Sequence, residues 1–142
     1  MRLCEEFFIF RYQLRVEIVL NIVLVFLGGG LGAMARYGMQ GIVYRWMGTA
    51  FPYGTLAVNI VGSFLIGVLL TVSESRFLVN PSLRIFLAIG ILGGFTTFSS
   101  FSYETVSLIR DGEYLFATVN VGASIALCLF FTYVGTLLAR IL

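Results

Sequence analysis

The stretch GGFTTFSSFSYE, residues 93–104, combines two adjacent glycines with phenylalanines, a run of threonines and serines, and one glutamate. It lies inside one of the long apolar segments of the chain. A glycine pair weakens a helix, and hydroxyl side chains can satisfy the backbone groups that an interrupted helix leaves unpaired. Within a membrane, such an interruption is tolerated only where it is buried in protein or lines a wet cavity. The stretch therefore predicts a helix that is broken near Gly93–Thr97.

The composition of the whole chain indicates a membrane protein. Of its 142 residues, 59% are hydrophobic and 11% are charged, whereas a soluble domain carries about 25% charged residues. The absence of histidine excludes a histidine-based catalytic site, and Cys4 and Cys128 are too far apart in sequence to indicate a metal pair or a disulfide framework. The net charge of +2 is too small to predict binding to nucleic acid.

Four apolar segments follow one another along the chain, and each reaches the length of about 20 residues that a helix needs to cross a bilayer. They predict an all-α membrane protein with helices at about residues 18–37, 53–72, 83–109 and 114–142. Residues 1–17 mix charged and aromatic side chains. We expect them to form either a short amphipathic arm at the interface or a poorly ordered extension, outside a transmembrane domain of residues 18–142.

The arginines are balanced between the two predicted sides of the membrane. All nine basic residues are arginine. Without residues 1–17, one side holds Arg76, Arg84 and Arg140, and the other holds Arg36, Arg45 and Arg110. Because an excess of positive charge normally sets the orientation, this balance predicts that the protein inserts both ways and pairs with its own inverted copy.

Small residues recur at a spacing of four, which lets helix backbones approach closely in lipid. The pairs are Gly28 with Gly32, Gly90 with Gly94, and Gly122 with Ala126. The sequence GGGLGA at 28–33 also matches a dinucleotide-binding fingerprint, but that motif requires a preceding strand. We interpret these glycines as packing residues.

Polar residues repeat every fourth position within two of the predicted helices, where they are costly unless they face a partner or a cavity. One alternative is that the hydroxyls bond back to the backbone of their own helix. That alternative explains an isolated serine well, but it explains a carboxamide or a continuous series poorly. The two series are Thr55, Asn59 and Ser63 in the second helix, and Asn120, Ser124, Cys128, Thr132 and Thr136 in the fourth.

The stretch at 93–104 resembles the signature of the Fluc (CrcB) family of fluoride channels. The sequence PYGTLAVNIVGSFLIG at 52–67 resembles the second helix of that family, and GAMARY at 32–37 resembles part of its first helix. The resemblance extends from about residue 18 to the C-terminus and excludes residues 1–17.

The resemblance implies an antiparallel, dual-topology homodimer of four-helix subunits with two fluoride pores. It also implies a structural sodium ion at the dimer axis, held by the backbone carbonyls of Gly93 and Thr96 from both subunits. Oxygen ligands of this kind suit a hard cation.

The resemblance also implies which residues line the pore. Two of them depart from the expected pattern: Asn120 stands where an aromatic hydroxyl can occur, and Cys128 where serine or threonine is usual. Arg36 is expected to attract anions into a vestibule, and Glu104 to be hydrogen-bonded to nearby hydroxyls, with Thr97 and Ser100 supporting the site. The implied pore residues are Asn59, Phe98, Phe101, Thr55, Asn120, Ser124 and Cys128.

The function implied by the resemblance is passive export of fluoride from the cytoplasm, through the plasma membrane of a prokaryote (the inner membrane of a Gram-negative cell). No bond is made or broken, so we expect no enzymatic activity. Two alternatives remain open. One is a small dual-topology proton-coupled exporter, for which Glu104 is the available acid within a span. The other is a membrane subunit that transports nothing and uses its small residues to bind partners.

Overall fold

A computed structural model describes residues 2–76 and 80–141, except for the side chains of residues 2–10, 12, 14, 75 and 76. Within these ranges every regular element is helical, which confirms the predicted all-α class. The elements are α1 (Arg2–Met47), α2 (Tyr53–Arg76), α3 (Pro81–Arg84), a π-helix (Ile85–Leu92), α4 (Gly93–Phe95), α5 (Phe98–Arg110) and α6 (Tyr114–Ile141).

Four helical segments of the described chain are long and apolar enough to cross a membrane. They are Arg15–Met47, Tyr53–Glu74, Pro81–Arg110 and Tyr114–Ile141. Large apolar side chains such as Phe26, Trp46 and Leu129 are more than half exposed, as expected where lipid and not water surrounds the helices. The chain is therefore a multi-pass membrane protein with the four spans that the sequence predicted.

The first helix is longer than its apolar run predicted. α1 continues past residue 37 and ends at Met47. The next residue, Gly48, has a left-handed φ of 80°, and its N–H donates to the carbonyl of Tyr44. Gly38 and Gly41 lower helix propensity but do not stop a helix. At the other end the α1 backbone begins at Arg2. The side chains of the predicted arm up to residue 10 lie outside the described residues, and its place at the interface stays a prediction.

The third membrane-crossing segment is irregular. It begins as α3, widens into the π-helix, and returns to one α-helical turn in α4. Thr96 and Thr97 then have extended backbones, with φ/ψ of −80°/157° and −152°/113°, before α5 begins at Phe98. α5 ends at Arg110, and the turn that follows contains Asp111 and Gly112, with a φ of 80° at Gly112.

Glycines allow two helix pairs to approach backbone to backbone. α1 packs against the π-helix and α4, and α2 packs against α6. A Cβ atom placed on Gly28 would lie 2.9 Å from the Cα of Gly90, and one on Gly135 would lie 3.1 Å from the backbone nitrogen of Val68. By contrast, no described neighbour lies within 4 Å of such an atom on Gly122. The packing role predicted for the first two glycine pairs is confirmed, and within this subunit the third pair has no such role.

Candidate functional site

A cavity of about 430 Å³ lies where α2, the irregular third segment, and α6 meet. It brings together most of the residues that the sequence predicted for a pore and a sodium site. α2 contributes Asn59, and α6 contributes Ser124 and Cys128. From the third segment, the predicted residues in its wall are Gly93, Thr96, Thr97, Phe98 and Phe101.

The carboxamide of Asn59 holds the extended backbone of Thr97 in place. Its Oδ1 accepts a hydrogen bond from the Thr97 N–H at 2.9 Å, and its Nδ2 donates to the Thr97 carbonyl at 3.1 Å. Thr97 is 7% exposed, so both backbone groups would otherwise be buried without partners, which is costly. A carboxamide has two N–H donors. Because Asn59 uses one of them on Thr97 and lines the cavity, the second is available to a ligand there.

Thr97 also forms the N-terminal cap of α5. Its Oγ1 accepts a hydrogen bond from the Ser100 N–H at 3.2 Å and is 3.1 Å from the Ser100 hydroxyl. The cap satisfies one of the N–H groups that the first turn of a helix leaves unpaired. The N-terminus of α5, which carries the positive end of the helix dipole, therefore lies at the wall of the cavity.

Phe98 and Phe101 lie next to each other at the start of α5. Their ring centroids are 5.4 Å apart and the rings are inclined by 45°. Phe98 is 78% exposed although it also lines the cavity. The two rings add apolar surface to the wall of the cavity, and a phenylalanine ring attracts an anion only where it presents its electropositive edge.

The carbonyls of Gly93 and Thr96 lie at or near the residues of the third segment that have an extended backbone. In a continuous helix the Thr97 N–H would bond to the Gly93 carbonyl, but here it bonds to Asn59. The Thr96 carbonyl is 3.4 Å from Nη1 of Arg36, a long and weak hydrogen bond. Two carbonyl oxygens are thus released from regular helical pairing, and this donor set fits a hard cation such as sodium. The guanidinium of Arg36, which carries the same sign of charge, opposes a cation at the Thr96 carbonyl.

Glu104 lies in a separate hydrogen-bonded cluster. Its Oε1 accepts hydrogen bonds from the Thr55 hydroxyl at 2.8 Å and from the Tyr44 hydroxyl at 3.2 Å, which confirms the expected pairing with hydroxyls. Gln40 in turn donates to the Thr55 oxygen at 3.0 Å. The Oε2 atom of Glu104 is buried without a partner among the described residues.

The Glu104 cluster does not face the main cavity. Glu104 and Tyr44 line a second cavity of about 410 Å³, whose wall also includes Asp111 and Glu113. Thr55 is 2% exposed and lines neither cavity. The structure therefore separates Thr55, a predicted pore residue, and Glu104, a predicted supporting residue, from the predicted residues that line the main cavity.

Asn120 is also outside the main cavity. It is 1% exposed, and its Nδ2 donates to the Thr105 hydroxyl at 2.9 Å. That hydroxyl donates in turn to the carbonyl of Phe101 at 2.7 Å. Thr105 lines a third cavity, of about 480 Å³, between α5 and α6. Thr105 therefore connects Asn120 to the backbone of Phe101, which lines the main cavity.

Sequence reasoning missed Gln40, Tyr44 and Thr105. Gln40 and Tyr44 are one helical turn apart, but they lie in the stretch predicted to connect the first two helices, where no common helical face is expected. Their spacing of four was the available signal. Thr105 follows directly after the signature stretch, and nothing in its own position in the sequence indicates that it pairs with Asn120.

Comparison with known proteins shows where the chain belongs. The family model described as CrcB-like protein, Camphor Resistance (CrcB), matches residues 23–136. A protein of Geotalea daltonii named fluoride-specific ion channel FluC is 53% identical over 84% of this chain and 97% of its own length. Proteins of the same name from Geobacter metallireducens and Magnetococcus marinus are 52% and 42% identical, over 86% and 87% of this chain and 98% and 100% of their own lengths. This chain is a member of the CrcB family.

Proposed function

We propose that this protein is a fluoride-specific ion channel that conducts fluoride passively. The relatives that share about half of its residues carry that name. The observation that carries the proposal is the grouping of Asn59, Phe98, Phe101 and Ser124 around one cavity at the N-terminus of α5. Conduction makes and breaks no covalent bond, so the protein is not an enzyme.

The cavity offers substitutes for the water that surrounds fluoride in solution. Fluoride is small and strongly hydrated, so a selective path must replace that hydration with aligned donors. The second N–H of Asn59 and the hydroxyl of Ser124 are such donors, and the positive end of α5 adds a favourable field for a negative charge. The rings of Phe98 and Phe101 narrow the path. Chloride is larger than fluoride, so we expect the narrowed path to exclude it.

We further propose that the channel is an antiparallel, dual-topology homodimer. The balance of Arg76, Arg84 and Arg140 against three arginines on the other side supports insertion in both orientations. Phe98 is 78% exposed in a single subunit, and a second subunit would cover it. In this proposal, the extended backbone at Thr96–Thr97 breaks the third membrane crossing at the subunit contact.

A structural sodium ion belongs to the same proposal. The carbonyls of Gly93 and Thr96 from two subunits would supply four oxygen ligands, and the bound ion would hold the two subunits together. Arg36, whose Nη1 is 3.4 Å from the Thr96 carbonyl, would then lie beside the ion and draw fluoride towards the pore entrance.

The proposed physiological role is export of fluoride from the cytoplasm of a prokaryote across its plasma membrane, which lowers the toxicity of the ion. Weak acid enters as neutral hydrogen fluoride and ionises inside, and the anion leaves through the channel down its electrochemical gradient. The bacterial sources of the relatives support this location.

The decisive experiment is efflux of fluoride from liposomes that contain the purified protein, with chloride as the comparison ion. We expect fast fluoride efflux and no measurable chloride efflux. A fluoride trace equal to that of empty vesicles would reject the channel and favour a membrane subunit that transports nothing. Fluoride movement that depends on a proton gradient and disappears in Glu104→Gln would instead favour a proton-coupled exporter.

A further inference from the structure

One wall of the main cavity carries a thiol. Cys128 lies on α6, is partly exposed and has a free sulfhydryl group. It lines the cavity together with Asn59, Phe101 and Ser124. The chain contains two cysteines, Cys4 and Cys128, so replacing Cys4 leaves Cys128 as a single thiol.

A second polar group without a partner faces the same space. Ser124 stands one helical turn before Cys128 and is 8% exposed. Hydroxyls in membrane helices commonly donate to the carbonyl four residues earlier, as Thr118 and Thr132 do in this same helix. Among the described residues, the Ser124 hydroxyl makes no such bond. It is therefore a buried polar side chain that lines the cavity and is free to bind a ligand there.

We propose that Cys128 is a binding site for soft, thiol-seeking metal cations, with mercuric ion as the representative, and that occupation of this site stops anion passage. The proposal rests on the proposed channel function. Soft metals prefer thiolate to the carbonyl, hydroxyl and amide groups that make up the rest of the polar wall. With mercuric chloride as the probe, the reaction is R–SH + HgCl₂ → R–S–HgCl + H⁺ + Cl⁻: one sulfur–metal bond forms, one mercury–chloride bond breaks, and the thiol proton and the chloride leave to solvent. The Ser124 oxygen supplies a second, weaker ligand.

Occupation would block the path by filling it. The bound mercury, with the chloride it retains, takes up space in the cavity that Cys128 shares with Asn59 and Phe101. It also engages the Ser124 hydroxyl, one of the donors proposed to replace the water around fluoride. These effects act on conduction and do not require the subunit to unfold.

The experiment compares three variants, and each rate is normalised to the same variant before treatment. The parent is C4S, which retains Cys128 as its single thiol. The test variant is C4S/C128S. The matched control is C4S/C128S/A126C, which moves the thiol to an exposed position that does not line the cavity. Fluoride efflux from liposomes is measured with and without mercuric chloride, and again after excess dithiothreitol. Mercury per chain is counted by intact-protein mass spectrometry in detergent.

We expect one mercury per chain in the parent, a fall in its efflux of about tenfold or more, and recovery with dithiothreitol. The test variant should bind none and keep its rate. The control should bind one and keep its rate. The proposal is overturned if C4S/C128S is inhibited as strongly as the parent, if the A126C control is blocked equally, or if the parent binds mercury without losing efflux. Absence of efflux in the untreated parent would reject the channel function instead, while the mercury count would still test the binding site.

Discussion

Replacing Asn59 with alanine tests the central structural claim, that this carboxamide holds the extended backbone of Thr97. The variant removes the acceptor 2.9 Å from the Thr97 N–H and the donor 3.1 Å from the Thr97 carbonyl. Thr97 is 7% exposed, and a buried group left without its partner costs about 1–3 kcal/mol. The two groups together therefore lose about 2–6 kcal/mol. Water entering from the cavity would restore part of this, so we expect the lower end of the range.

Hydrogen–deuterium exchange at the Thr97 amide reports this loss directly, because the amide exchanges only when its hydrogen bond opens. A loss of about 2 kcal/mol corresponds to exchange about 30-fold faster. Asn59→Asp is the conservative variant: in either protonation state its carboxyl oxygen can still accept from the Thr97 N–H, so the amide should remain protected.

Ser63→Ala is the matched control for Asn59→Ala. Ser63 lies on the same helix and lines the same cavity, and its hydroxyl is not a partner of Thr97. We expect exchange at the Thr97 amide within about threefold of the wild type in this variant. If the Thr97 amide were as protected in Asn59→Ala as it is in Ser63→Ala, the proposal that Asn59 holds the Thr97 backbone would be refuted.

Three further predictions concern the cap, the buried acid and the rings. Thr97→Ala removes the acceptor of the Ser100 N–H and should lower stability in detergent by about 1 kcal/mol, whereas Thr97→Ser should retain most of it; equal melting temperatures would contradict the cap. Thr55→Val removes the 2.8 Å hydrogen bond to the partly unpaired Glu104 and should cost about 1–3 kcal/mol by thermal unfolding, a result that an unchanged melting curve would exclude. Phe101→Ile should slow fluoride efflux without altering the elution volume on size exclusion, and an unchanged rate would remove Phe101 from the pore.

Regular spacing in the sequence does not predict which of the pore residues share the same surroundings in the structure. Thr55 and Asn59 are four residues apart, and both are among the residues that the resemblance implies for the pore. Each step of four rotates about 40° around a helix, which is enough to separate their surroundings. Thr55 bonds to Gln40 and Glu104, while Asn59 bonds to Thr97 and lines the main cavity.

The same limit applies to the fourth helix. Asn120, Ser124 and Cys128 repeat at a regular spacing, but Asn120 donates to Thr105 and lies outside the main cavity, while the other two line it. Which of these residues conduct fluoride stays a prediction. The helix that faces each of them depends on rotation and tilt between helices, and side-chain spacing along one helix does not contain that information.

The amino-acid sequence by itself determined the class of the protein, its four membrane spans and, through the signature at residues 93–104, its family. These properties depend on the length and polarity of local segments, because each segment that crosses a bilayer must itself be long and apolar enough to be stable in hydrocarbon. Only the tertiary structure decided that Asn59 forms hydrogen bonds with the backbone of Thr97. It also decided that Glu104 lies with Thr55 and Tyr44 away from the main cavity, and that Ser124 and Cys128 line the same cavity. These pairings join residues distant in sequence, and their hydrogen bonds form only after the helices have packed in one relative rotation.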